Sequence, residues 1–122
     1  MLWVKRLIVA SVILLALDFS YIMATKKIFE DQIINVQRVI MTVKPVGAIA
    51  CYIFLIFGLY YFILQNKRPA TDAALLGLVI YGVYETTNYA ILKKWSPFVV
   101  LIDTLWGSIL FGLTTHFTYM IV

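Results

Sequence analysis

Between Pro45 and Asn66 the chain carries no charged side chain, and Val46 to Leu64 is almost wholly aliphatic or aromatic. A run of this length fixes the solvent. About 20 apolar residues in helical form cross the ~30 Å hydrocarbon core of a bilayer. In that core every backbone N–H and C=O must be paired within its own helix or around a closed barrel. Three further runs of similar character accompany the first, Leu7 to Ala24, Ala73 to Leu92 and Phe98 to Met120. None shows the apolar–polar alternation of a barrel strand. The pattern predicts a single transmembrane domain over 1–122, with helices over 7–24, 46–64, 73–92 and 98–120.

Composition points the same way. Hydrophobic residues are 63% of the chain and charged residues 13%, against about 45–50% and 25% in a soluble domain. A chain of 122 residues is mostly exterior when folded and could not hide that much apolar surface from water. The lipid bilayer is therefore its expected partner. The net charge of +4 does not indicate nucleic acid. The basic residues come in pairs, Lys5-Arg6, Lys26-Lys27, Lys67-Arg68 and Lys93-Lys94, each beside an apolar run. That is how helix ends are anchored among headgroups. Pro45 and Pro97 suit first helical turns, where the missing N–H is not needed. Thr71 and Asp72 offer N-cap oxygens to the third helix. The N-terminus imitates a signal peptide, but its apolar run continues past Asp18 to Ala24, long enough to remain as a span.

Residues 26–44 have a different texture. Phe29, Ile33, Val36, Ile40 and Val43 recur at helical spacing, with Lys27, Glu30, Asp31 and Arg38 elsewhere on the wheel. This reads as an additional interfacial amphipathic helix between helices one and two. An extension of helix one is the alternative. The expected fold is thus an all-α integral membrane four-helix bundle carrying this interfacial helix. Ala73 and Gly77, and Ser108 and Gly112, sit one turn apart and would let helices approach closely.

Each of three helices holds one deep acid. Let side A be the membrane face of the N-terminus and side B the other. Asp18, Glu85 and Asp103 then all fall about 8–10 Å inside side B at 1.5 Å per residue. Tyr81, Glu85, Asn88 and Leu92 share a stripe of helix three, with Tyr84 beside it. Asp103, Trp106, Gly107 and Leu110 share a stripe of helix four. The turn from Lys93 to Pro97 is short, so these helices are antiparallel neighbours, and Glu85 can face Asp103 with Asn88 between them. One charged group at such depth costs roughly 2.5–3.5 kcal/mol on insertion scales. The acids must share protons and hydrogen bonds with Asn88, Thr86, Thr87 and the tyrosines, or be neutralised by cations. Lys26, Lys27, Lys93 and Lys94 have stems long enough to reach inward.

Other candidates read plainly. Cys51 lies in an apolar run and is expected to be buried and inert. His116 lies near side A, far from the acids and without a metal-ligating partner. Trp3 and Trp95 suit the interfacial aromatic belt. Trp106, at the depth of Asp103, needs a partner for its N–H. No phosphate-binding glycine loop, nucleophile elbow, HExxH motif or Cys/His metal spacing occurs. No metal or cofactor is expected, and no catalytic signature of the kind found in soluble enzymes is present.

Three motifs carry a resemblance. LDFSYI at 17–22, YETTNYAILKKW at 84–95 and IDTLWGS at 102–108 resemble, in order, those of a small membrane-protein family, domain of unknown function 2177. The resemblance implies that Asp18, Glu85, Thr87, Asn88, Lys93 or Lys94, Trp95, Asp103, Trp106 and Gly107 form the family's polar constellation. Glu85 departs from the aspartate of the family pattern, so its carboxyl reaches one methylene further. Residues 29–43 match the pattern poorly, and the resemblance implies no activity.

Lys and Arg number four on side A (Lys5, Arg6, Lys67, Arg68) and six on side B (Lys26, Lys27, Arg38, Lys44, Lys93, Lys94), which together are the 10 of the chain. The positive-inside rule then places side B, with residues 26–44 and 93–97, in the cytoplasm. Three function classes are open at this point. One is proton, cation or small-solute permeation through the acids. The second is a structural subunit or scaffold of a larger membrane assembly, with homo-oligomerisation included. The third is binding or modification of a lipid headgroup, with a bound lipid at the cluster and the acids as general acid and base.

Overall fold

The structure, a computed structural model, describes residues 1–37 and 44–122. Helix α1 spans Leu2–Gln37, α2 Pro45–Leu59, α3 Ala70–Ile91 and α4 Pro97–Ile121. A π-helical turn, Tyr60–Leu64, continues α2. No strand occurs among the described residues. Three of the helical segments, Leu2–Gln37, Pro45–Leu64 and Pro97–Ile121, are long and apolar enough to cross a membrane. Helix α3 has 22 residues and a length of about 33 Å, but its polar residues keep it outside that set.

One expectation is corrected. The separate amphipathic helix over 26–44 does not form as an element of its own. Residues 26–37 continue α1, which runs unbroken for 36 residues, about 54 Å. The part of the expected helix at 38–43 lies outside the described residues. No helix breaker interrupts the chain at Lys26, so one ladder of backbone bonds persists. The extension is held by Gln32, whose amide donates to the Lys94 carbonyl at 2.7 Å and accepts from the Ser96 N–H at 2.9 Å. Gln32 is buried and ties α1 to the turn between α3 and α4.

The helices pack in the order α2, α1, α4, α3. The tightest seam joins α3 to α4, α1 lies along α4, and α2 touches α1 without packing along α3. Glycine makes the α3–α4 seam. A Cβ on Gly77 would run into the Gly107 carbonyl, and one on Gly107 into the Tyr81 ring. Ala73 is fully buried beside them, and Gly112 meets the Ala74 methyl group. Gly107, rather than Ser108, is the close-contact residue on α4. The turn that permits this seam is ordered by Ser96, which caps α4 by accepting from the Phe98 N–H at 3.1 Å, with Pro97 next in the first turn.

Toward side A the interior is mainly apolar, with Leu14, Leu55, Leu59, Ile63, Leu64, Leu110 and Phe111 buried together and Thr114, Thr115 and Thr118 buried on α4. At and beyond the end of the π turn, backbone carbonyls bond side chains of other elements. Tyr119 donates to the Arg68 carbonyl at 2.6 Å and Arg6 to the Leu64 carbonyl at 3.3 Å. Lys67 ends the segment in the left-handed region, at φ 52°. Replacing Gly77 by valine drives a side chain into backbone, and overpacking of this kind costs about 1–3 kcal/mol. Thermal unfolding in detergent is expected to drop for Gly77→Val. Gly47→Ala, with open space around it, is expected to leave the transition unchanged.

Candidate functional site

The site grows from the α3–α4 seam. With Gly77 against Gly107, the next turns toward side B bring Glu85 on α3 and Asp103 on α4 together, their carboxyl groups within hydrogen-bond reach. Both are buried, Glu85 completely. Helix α1, lying along α4, adds Asp18, also buried. The three acids therefore share one level of the bundle.

Aromatic donors surround them. The Trp95 indole donates to Glu85 Oε1 at 2.8 Å, and the Trp106 indole to Asp18 Oδ1 at 2.9 Å. The Tyr52 hydroxyl on α2 donates to the other Asp18 oxygen, Oδ2. The Tyr21 hydroxyl donates to Asp103 Oδ1 at 3.3 Å. Tyr21 also stacks on Trp106, ring centres 4.6 Å apart and planes 13° from parallel. The chain of contacts thus runs Tyr52, Asp18, Trp106, Tyr21, Asp103, Glu85, Trp95, and it draws on all four helices.

Glu85 Oε2 is buried without a donor among the described residues, and Asp103 Oδ2 is the oxygen that Tyr21 leaves unbonded. They belong to the two carboxyl groups that face each other. One proton between them would satisfy both, because a protonated carboxyl donates and its ionised neighbour accepts. No basic side chain among the described residues does so. The two ion pairs among the described residues join Lys26 to Glu30 at 3.8 Å and Arg68 to Asp72 at 2.5 Å, both on the surface. Asp18, Glu85 and Asp103 do not converge as a three-ligand metal set.

Two openings reach Asp103. A cavity of about 300 Å³ on the side of the α1 extension is lined by Asp18, Tyr21, Thr25, Lys26, Tyr81 and Asp103, among others. A groove of about 450 Å³ between α2 and α3 is lined by Cys51, Phe54, Leu55, Ile80, Tyr81, Tyr84 and Asp103. Tyr81 and Asp103 form the wall between them.

Several expectations change against this geometry. Asn88 is half-buried and makes no side-chain hydrogen bond to the acids, so it does not bridge Glu85 and Asp103. The Trp95 indole, not Asn88, is the donor to Glu85. Trp95 is buried rather than interfacial, because the short turn folds its ring back under α3. Thr87, Tyr84, Lys93 and Lys94 are exposed. Thr86 bonds back to its own helix at the Gly82 carbonyl. Cys51 is exposed rather than buried, because α2 and α3 do not close over it. Gly107 acts through the helix seam, not through a polar contact.

Sequence reasoning missed Tyr21, Tyr52 and Gln32. Tyr21 was findable one turn after Asp18. Tyr52 lies seven residues into α2 from Pro45, about 10 Å from side B, the level of the acids. Gln32 gave no signal beyond polarity.

Comparison with known proteins agrees with the architecture. The family model "Predicted membrane protein (DUF2177)" matches residues 3–120, and the chain belongs to that family. No curated protein and no solved structure matches the chain with significance.

Leaving a buried acceptor without its donor costs about 1–3 kcal/mol. Tyr52→Phe and Trp106→Phe are each expected to lower unfolding stability in detergent by that amount. The double variant, which strips Asp18 of both donors, is expected to fall further than either.

Proposed function

We propose that this member of the family is a four-span membrane protein whose Glu85–Asp103 pair takes up and releases a proton or cation during the passage of a small solute. The observation that carries the reading is the pair itself, two facing carboxyl groups with Glu85 Oε2 buried without a donor and no basic side chain bonded to either among the described residues. Intramembrane ionisable groups are expensive and are kept chiefly where they work. A purely structural network would be expected to satisfy its buried acceptors.

Access supports the same reading. Asp103 and Tyr81 line both openings, one beside Lys26 toward side B and one between α2 and α3. Toward side A the packed layer of Leu14, Leu59, Leu110 and Phe111 closes the interior. A site open on one side and sealed on the other suits a carrier that exchanges its occupant, not a continuous pore. Passage then requires α2 to shift, and α2 is the helix least tied to the rest.

The competing reading is a scaffold, favoured by a hydrogen-bond chain that stitches all four helices together. The two readings part on function. In reconstituted liposomes, wild-type protein is expected to carry pH-dependent cation or proton flux, and Glu85→Gln and Asp103→Asn are expected to reduce it at least tenfold while retaining helical content. Undiminished flux in both variants, or none in the wild type, leaves the scaffold. Difference infrared spectra are expected to show a protonated carboxyl band at neutral pH that Glu85→Gln removes.

The positive-inside count supports side B as cytoplasmic. With Cys51 replaced by serine, Lys93→Cys is expected to label from the cytoplasm and Gln65→Cys from the opposite side.

A further inference from the structure

We propose that the groove between α2 and α3 binds an amphiphilic organic cation, an amine or quaternary centre on an apolar body, that reaches Asp103 from the lipid phase. The proposal rests on the reading of the Glu85–Asp103 pair as a proton or cation site, and it names the class of occupant.

The groove faces sideways. Helix α2 packs on α1 and stands apart from α3, so the space between them opens into the surrounding acyl chains. Phe54, Cys51 and Tyr84 on its rim are exposed, Phe54 by 75% and Tyr84 by 58%. Its volume of about 450 Å³ falls within the ~300–1,000 Å³ of sites for small organic molecules. Its walls are aliphatic or aromatic except for the tyrosine hydroxyls, the Cys51 thiol and one acid. That acid is Asp103, only 7% exposed, whose Oδ1 accepts from Tyr21 while Tyr21 leaves Oδ2 unbonded. Behind it stands Glu85 Oε2, fully buried and without a donor among the described residues.

These features select the occupant. A bare metal cation needs several oxygen ligands, six or more for calcium or magnesium. The groove offers one carboxyl group and two tyrosine hydroxyls. An organic cation is weakly hydrated and needs one counter-charge with aromatic faces beside it, which Tyr81, Tyr84 and Phe54 supply. Among the described residues no Lys or Arg lines the groove, whereas Lys26 lines the cavity toward side B. A positively charged molecule therefore meets no repulsion on the lateral route. An anionic or neutral amphiphile would leave the acid uncompensated.

The test uses the full chain in detergent micelles and tetraphenylphosphonium as the probe, with neutral triphenylphosphine oxide as comparator, by equilibrium dialysis. Saturable binding of the cation is expected, with none for the neutral compound. Asp103→Asn is expected to weaken binding at least tenfold. Cys51→Trp fills the groove without touching an acid and is expected to do the same. Val79→Trp, on an exposed face outside the groove, is expected to bind as wild type does. Equal binding of the neutral compound overturns the proposal, as does unsaturable binding of the cation. Cation binding that survives Cys51→Trp but not Asp103→Asn places the molecule in the side-B cavity and also overturns it. The infrared carboxyl band, recorded on the same preparation, separates the two failures. No binding with the band present sinks the lateral cation site alone, and no band sinks the reading of the carboxyl pair beneath it.

Discussion

Burying carboxyl groups in a membrane interior is the constraint to which the rest of this structure answers. Asp18, Glu85 and Asp103 cannot be solvated by lipid, and no basic side chain among the described residues is bonded to them. The fold replaces water with indole and phenol donors, two on Asp18, one on Glu85 and one on Asp103. Trp and Tyr suit the task because each carries one polar group on a large apolar ring. The ring packs against helices while the N–H or O–H reaches the acid. Tyr21 does both, stacking on Trp106 while bonding Asp103.

That arrangement depends on close helix approach, which glycine provides. Without a hydrophobic force between helices in lipid, association relies on packing and interhelical hydrogen bonds. Gly77 and Gly107 bring α3 and α4 into backbone contact, and this proximity sets Glu85 against Asp103. The short turn then folds Trp95 beneath Glu85, and Gln32 clamps the turn from α1. Seam, turn and clamp act as one unit, and α2 stands outside it. The helix that closes the lateral groove is therefore the one whose movement would disturb the fewest contacts.

Much of this was legible in the residues. Apolar length alone announced the helices, because a spanning segment must satisfy its backbone internally and hydropathy records that requirement. The common depth of Asp18, Glu85 and Asp103 followed from rise per residue, and the facing of Glu85 and Asp103 from a turn too short for any other arrangement. The partners were less legible. Asn88 was the polar residue nearest in sequence, yet Trp95 reaches Glu85, since side-chain direction at a turn is not encoded in helical spacing. Tyr52 lay at the right level but in a helix without charge, where nothing distinguished its hydroxyl from an interfacial one.

The sequence by itself determined the solvent, the helical class and the depth of the acids, since each follows from counting residues against the thickness of a bilayer. Tertiary structure alone decided which donors meet which carboxyl oxygens, that residues 26–37 prolong the first helix, and that Cys51 faces an open groove. Those outcomes depend on helix order and rotation about each axis. They are set by glycine contacts and a two-bond glutamine clamp between segments distant in the chain, which no local pattern records.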